Sequence, residues 1–229
     1  MLKLKTGQKL AVCLTATAVA SLVSAASSAA VIYENADSFT GQRTTGANGV
    51  PLGDVVNFAG TERTLTDVSF EYFLSPTRSG NETAVFSIYA ANGNFPGALL
   101  YTSDPTSIST GTTAEGYGRV NLSGITLPAD LPTSIAYTIT FGGLDTGETA
   151  GLLFHNDPTP VGTNPTFLDS TTGQQEHFTI TQTGGTWQLI NHDGVIDNLG
   201  IQFTAVPEPT TWALMLGGFA ALGLYRRRK

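Results

Sequence analysis

An all-β body, a single antiparallel β-sandwich of jelly-roll type, is what the central part of this 229-residue sequence predicts. Three observations carry that expectation. Residues 31–206 hold 29 threonines among 176 residues, many glycines and prolines, and no long stretch with apolar spacing of 3.6, so helices are nearly excluded. Several segments alternate apolar and polar residues with period two, the signature of strands with one buried face. Glycine-bearing turn sequences separate those segments. A chain of this size buries roughly 70% of its extended surface on folding, so one core without cross-links suffices.

Taken in chain order, residues 1–30 open with Lys3, Lys5 and Lys9, continue through an apolar run at 10–23 and finish in small residues. That layout predicts a secretory signal peptide cut by signal peptidase. Small side chains at Ser28 and Ala30, or at Ser24 and Ala26, fit the cleavage pockets, which places the mature start near Val31. Cys13 is the single cysteine and falls inside this segment. Most of the apolar run follows it and Val12 precedes it, which argues against lipid attachment. The mature chain is left without disulfide or thiol chemistry.

The body at 31–205 follows. Val68, Phe70, Tyr72 and Leu74 alternate with Ser69, Glu71 and Phe73; Ala84, Phe86, Ile88 and Ala90 alternate with Val85, Ser87 and Tyr89. The same holds for Ile135, Tyr137, Ile139 and Phe141 against Ala136, Thr138 and Thr140, and for Leu199, Ile201 and Phe203 against Gly200 and Gln202. Further strands are expected at 54–58, 98–102, 118–122, 151–155, 177–181 and 186–190. Turns are expected at Asn92-Gly93-Asn94, Gly142-Gly143, Gly184-Gly185 and Asp193-Gly194. Edge protection falls to prolines and acidic side chains, because the body contains no lysine.

The segment at 206–229 differs in kind. Val206, Pro207, Glu208 and Pro209 begin a hinge at 206–211, and prolines on both sides of Glu208 keep it extended and open to a protease. Residues 212–225, among them Trp212, Leu214, Leu216, Phe219, Leu222 and Tyr225, carry no charge. A helix apolar on every side has no solvent face and is expected to enter lipid. Its 14 residues span about 21 Å against a hydrocarbon core of about 30 Å, a short transmembrane helix. Trp212 and Tyr225 at the interfaces, and snorkelling arginines, reduce the mismatch. Arg226, Arg227, Arg228 and Lys229 then stop transfer and remain cytoplasmic while the body lies outside.

Val-Pro-Glu-Pro, a short Gly/Ala/Leu helix and a basic cluster, in that order, resemble the PEP-CTERM sorting signal read by exosortase in Gram-negative bacteria that make exopolysaccharide. The resemblance implies export, transient anchoring in the inner membrane, cleavage near Pro207, Glu208 and Pro209, and release or attachment at the surface. The body adds a fainter likeness to PEP-CTERM ectodomains in Leu52-Gly53-Asp54, Pro96-Gly97-Ala98-Leu99-Leu100, Gly143-Leu144, Gly151-Leu152-Leu153 and Gly185-Thr186-Trp187. That likeness implies one extracellular β-domain and supplies no catalytic residues.

Charge narrows the remaining functions. From 31 to 206 there are 17 acidic residues against Arg43, Arg63, Arg78 and Arg119, a formal −13. Such a surface repels phosphate backbones, so no nucleic-acid partner is expected. The histidines His155, His177 and His192 lack metal-ligand spacing and read as strand-end and loop residues, so no metal or cofactor is expected. No G-x-S-x-G frame or phosphate loop occurs. For glycoside hydrolysis Glu71 is the position to inspect, with Glu176 second, although a glutamate on an exposed face reads as solvated. Calcium has its densest candidate at 191–198, which departs from the EF-hand frame. Sugar stacking has Tyr89, Tyr101, Tyr117 and Trp187 available, with Trp187 expected in the core. The leading expectation is a non-enzymatic exported protein of the outer envelope or matrix, associated with exopolysaccharide. The alternatives are a carbohydrate- or calcium-binding module and then a secreted hydrolase.

Overall fold

Period-two alternation becomes two stacked sheets. A computed structural model describes residues 29–36, 38–108, 116–127, 130–156, 159–165, 167–168, 175–176, 178–191 and 197–206. Two units divide the chain, Ala30–Ala205 and a second formed by Met1–Ala29 with Val206–Lys229. Most of the expected signal peptide, including Ser28, and everything from Pro207 onward, with the apolar 212–225 stretch and the basic 226–229 tail, lie outside the described residues.

In chain order the described strands are β1 (Ala30–Asn35), β2 (Phe39–Arg43), β3 (Pro51–Asn57), β4 (Thr64–Leu74), β5 (Thr83–Asn92), β6 (Phe95–Thr102), β7 (Thr106–Ser107) and β8 (Gly116–Ser123). They continue as β9 (Ser134–Gly142), β10 (Ala150–Asn156), β11 (Phe167–Leu168), β12 (Gln175–Glu176), β13 (Phe178–Thr183), β14 (Thr186–Asn191), β15 (Asp197–Leu199) and β16 (Ile201–Val206). One seven-stranded sheet runs β1-β16-β4-β10-β15, with β2 on β10 and β8 on β4. The second runs β14-β13-β3-β9-β5-β6, with β7 on β5, while β11 and β12 pair separately. Neighbours are antiparallel, as in β4 on β8 and β5 on β9. No described residue is helical.

The core fills the space between the sheets with the residues that the alternation marks. Val68, Phe70, Tyr72 and Leu74 of β4 face Phe86 and Ile88 of β5 and Ile135, Tyr137, Ile139 and Phe141 of β9, and all are buried in one cluster. Phe203 of β16 sits at its centre. Its ring lies 5.2 Å from Phe58, 5.7 Å from Tyr137 and 6.1 Å from both Tyr33 and Phe86. Edge-to-face and tilted packing of this kind adds attraction beyond the area buried.

Turn chemistry follows the sequence where it is described. Gly184 and Gly185, at φ of 60° and 83°, form the two-residue turn between Thr183 and Thr186, which needs positive φ at both positions. The strand expected through Leu199 and Phe203 is broken at Gly200, whose N–H donates to Leu153 and whose carbonyl accepts from Glu71. Trp187 is a correction. It is half-buried on the outward face of the second sheet, 5.7 Å from the Tyr89 ring, in a satellite cluster with Val55, Ala136 and Ile180. The reason is register: β13 pairs Ile180 with Leu189, which puts Leu189 and Trp187 on the side away from the main core.

A carboxyl also points inward. Asp54 of β3 lies between Leu52 and Val56, both core residues, and opposite Tyr137. Asn164 reaches it because Val161 bridges to Glu34 and Thr163 to Asn57. The Asn164 amide donates to Asp54 Oδ2 at 2.6 Å, the Val55 N–H donates to Oδ1 at 2.6 Å, and Tyr33 donates its hydroxyl to Asn164 Oδ1. Burial is the largest influence and pushes the Asp54 carboxyl up to about 8, against the lowering effect of these hydrogen bonds.

Candidate functional site

On the outer face of the first sheet, four strands bring together residues that period-two alternation turns away from the core. Glu71 and Phe73 come from β4, Tyr117 and Arg119 from β8, His155 from β10, and Phe39 and Arg43 from β2. Register sets Glu71 opposite Arg119 and Phe73 opposite Tyr117. It sets His155 opposite Phe39 and Leu153 opposite Arg43. Residues between 39 and 155 in sequence thus meet on one patch.

Glu71 is its polar centre. Oε1 accepts from Arg119 Nη2 at 3.0 Å, and Oε2 shares a hydrogen with His155 Nε2 at 2.8 Å. The His155 side chain is 2% exposed and that of Glu71 21%. Partial burial by itself pushes the Glu71 carboxyl up, but the His155 hydrogen bond and charge, joined by Arg119, outweigh it and hold the group below its ordinary value. Two glycines make the fit possible. A Cβ on Gly200 would lie 2.6 Å from the His155 ring, and one on Gly151 would lie 2.4 Å from the Phe73 ring.

Beside this charged group lies an aromatic rim. Phe39 and Tyr117, 42% and 53% exposed, are two of the three exposed large apolar side chains among the described residues. Their rings are 5.6 Å apart, and Phe39 is also 6.1 Å from the His155 ring. The Arg43 guanidinium lies 4.4 Å over the Phe73 ring and donates to the Tyr117 hydroxyl at 3.4 Å.

Two expectations change here. Glu71 is an ion-paired, partly buried residue and not a freely solvated one, because β8 places Arg119 directly across from it. His155 stands near the end of β10 as expected, yet it is buried, with Glu71 as its partner and with Nδ1 lacking a hydrogen-bond partner among the described residues. Replacing Glu71 with alanine is expected to destabilise the body by about 1–3 kcal/mol in chemical denaturation, since a buried imidazole nitrogen then loses its partner. Glu71→Gln, which keeps an oxygen in place, is expected to cost less.

The other sequence candidates scatter. Tyr89 packs on Trp187 and Tyr101 is partly buried against the main core, so only Tyr117 of the expected stacking residues joins the patch. His177, His192 and most of the calcium candidate, residues 192–196, lie outside the described residues. Glu176 lies in β12, apart from Glu71 in sheet and strand. Among the described residues no three His, Cys, Asp or Glu side chains are grouped to hold a metal ion. Sequence reasoning missed Phe39, Arg43 and Arg119. Arg119 and Tyr117 are two apart in a strand, as are Glu71 and Phe73, so their shared faces were readable, whereas the register joining the strands was not.

Of the sorting residues, Ala30 opens β1 opposite Ala205, and Val206 closes β16. The start of β1 and the end of β16 thus lie side by side. No curated protein and no solved structure matches the chain. Residues 205–229 do match a family model, that of the PEP-CTERM protein-sorting motif. The motif implies exosortase-dependent sorting of an exported protein held transiently at the membrane through its C-terminus. With that match, the chain carries a PEP-CTERM protein-sorting motif at residues 205–229, at the end of its β body.

Proposed function

We propose that this protein is a non-enzymatic component of the outer envelope or extracellular matrix, associated with exopolysaccharide, which reaches its place by two cleavages. Signal peptidase acts near Ser28 or Ala30, and the exosortase-type protease acts near Pro207, Glu208 and Pro209, releasing the body from the inner membrane. One observation carries this reading. The last strand, β16, ends at Val206, directly before the Pro-Glu-Pro segment, so a cut there leaves every described strand intact. Strands that pass repeatedly between the two sheets, from β3 to β4 to β5 and from β8 to β9 to β10, support a sandwich of jelly-roll type.

The state of Glu71 supports a role without catalysis. A general acid needs a carboxyl raised toward neutrality, whereas His155 and Arg119 hold Glu71 below its ordinary value. Replacing Pro207, Glu208 and Pro209 together with alanine is expected to leave uncut protein in the inner membrane, seen by fractionation and blotting. Normal processing of that variant would remove the sorting reading.

A further inference from the structure

We propose that the outer-face patch of Phe39, Tyr117, Arg43, Arg119 and Glu71 is a binding site for a neutral saccharide. The proposal rests on the protein being a polysaccharide-associated envelope component, and names the surface that makes the association. Two of the body's four arginines and two of the three exposed large apolar residues among those described converge here, from strands far apart in sequence.

The chemistry selects the ligand. A sugar ring offers an apolar C–H face, which lies on an exposed aromatic ring, and a fringe of hydroxyls that both donate and accept. Tyr117 and Phe39 provide the rings. Glu71 and Arg119, their side chains 21% and 39% exposed, present an acceptor and a donor side by side, matching adjacent hydroxyls. An apolar peptide on the same rings would strip water from that ion pair and return nothing to it. A polyanion is disfavoured by the −13 body, and the balanced Glu71–Arg119 pair offers it little compensation. The groups are also held in place beforehand: Glu71 by His155, and Arg43 by the Phe73 ring and the Tyr117 hydroxyl. Binding therefore costs little side-chain ordering.

The test is affinity electrophoresis of the processed protein, purified from producing cells, in gels containing mixed-linkage β-glucan, galactomannan or alginate. A neutral glycan is expected to retard the wild type equally in low and high salt. Tyr117→Ala and Phe39→Ala are each expected to weaken retardation about tenfold, the equivalent of one lost stacking contact. Tyr117→Phe, which keeps the ring, is expected to retain most of it. Both alanine variants sit at exposed positions, and unchanged melting curves show that their loss is local. Retardation that persists in both variants would overturn the site while leaving the polysaccharide association standing. Binding to alginate alone, abolished by salt, would overturn the neutral class. Wild type retarded by none of the three would overturn the proposal, and its absence from the polysaccharide fraction of the cells would overturn the association itself.

Discussion

Phe203→Ala is expected to lower the stability of the body by about 3–5 kcal/mol. Phe203 is fully buried and its ring meets Tyr33, Phe58, Phe86 and Tyr137, so one substitution removes four aromatic contacts and opens a cavity that both sheets must border. Rings fixed in two hydrogen-bonded sheets cannot close in on the space, which puts the cost in the upper part of the usual range. A domain's whole stability is typically about 5–15 kcal/mol, so this variant is expected to unfold at far lower denaturant concentration. Ile201→Val, in the same strand and also buried, is expected to cost only about 0.5–1.5 kcal/mol. Equal losses in the two variants would show that Phe203 is not the centre of the core.

Stability is also expected to fall as pH rises through the neutral range, and Asp54 is the cause. Unfolded, its carboxyl ionises near the ordinary value of about 4; folded, it holds its proton up to about 8. Between those values folding takes up a proton. The stabilisation is fully present below the lower value and is lost progressively as pH approaches the upper one, at about 1.4 kcal/mol per pH unit and on the order of 5 kcal/mol across the window. Glu71 works in the opposite sense. Its lowered value adds stability above about pH 4 that disappears as acid protonates it. Together the two groups place the optimum in weakly acidic solution. Asp54→Asn keeps the shape and removes the titration, so thermal melts from pH 5 to 8 are expected to lose most of the slope seen in the wild type. An unchanged slope would assign the effect to the general acidity of the surface.

What the sequence made legible divides along physical lines. Strands with regular pleat were readable, since burial on one face imposes alternation; β4, β5 and β9 appear where Val68–Leu74, Ala84–Ala90 and Ile135–Phe141 place them. Two of the strands that escaped, β1 and β2, have a broken pleat. A register shift between Val31 and Tyr33 buries adjacent Ile32 and Tyr33 in β1, and β2 carries Gly41 at φ 83° with an almost wholly exposed face. Missing β2 meant missing Phe39 and Arg43. Glu71 was correctly assigned to the face opposite Phe70 and Tyr72, yet its partners depend on which strands lie beside β4, and alternation says nothing about that order. Asp54 shows the same limit from the other side. A carboxyl within Leu52-Gly53-Asp54-Val55-Val56 looks like a solvent position until pairing with β9 sets it against Tyr137. The sorting motif at 205–229, by contrast, was legible from the sequence, because its signature is local: two prolines, an uncharged run and four cations, read without any tertiary contact.

The most direct measurement of the central claim is the intact mass of the mature protein together with the cell fraction that contains it. The mature chain is expected to begin near Val31, to end within Pro207–Pro209 and to be found in the outer envelope or the extracellular matrix. A chain that still carries Arg226 to Lys229, or that stays in the cytosol, would contradict that claim.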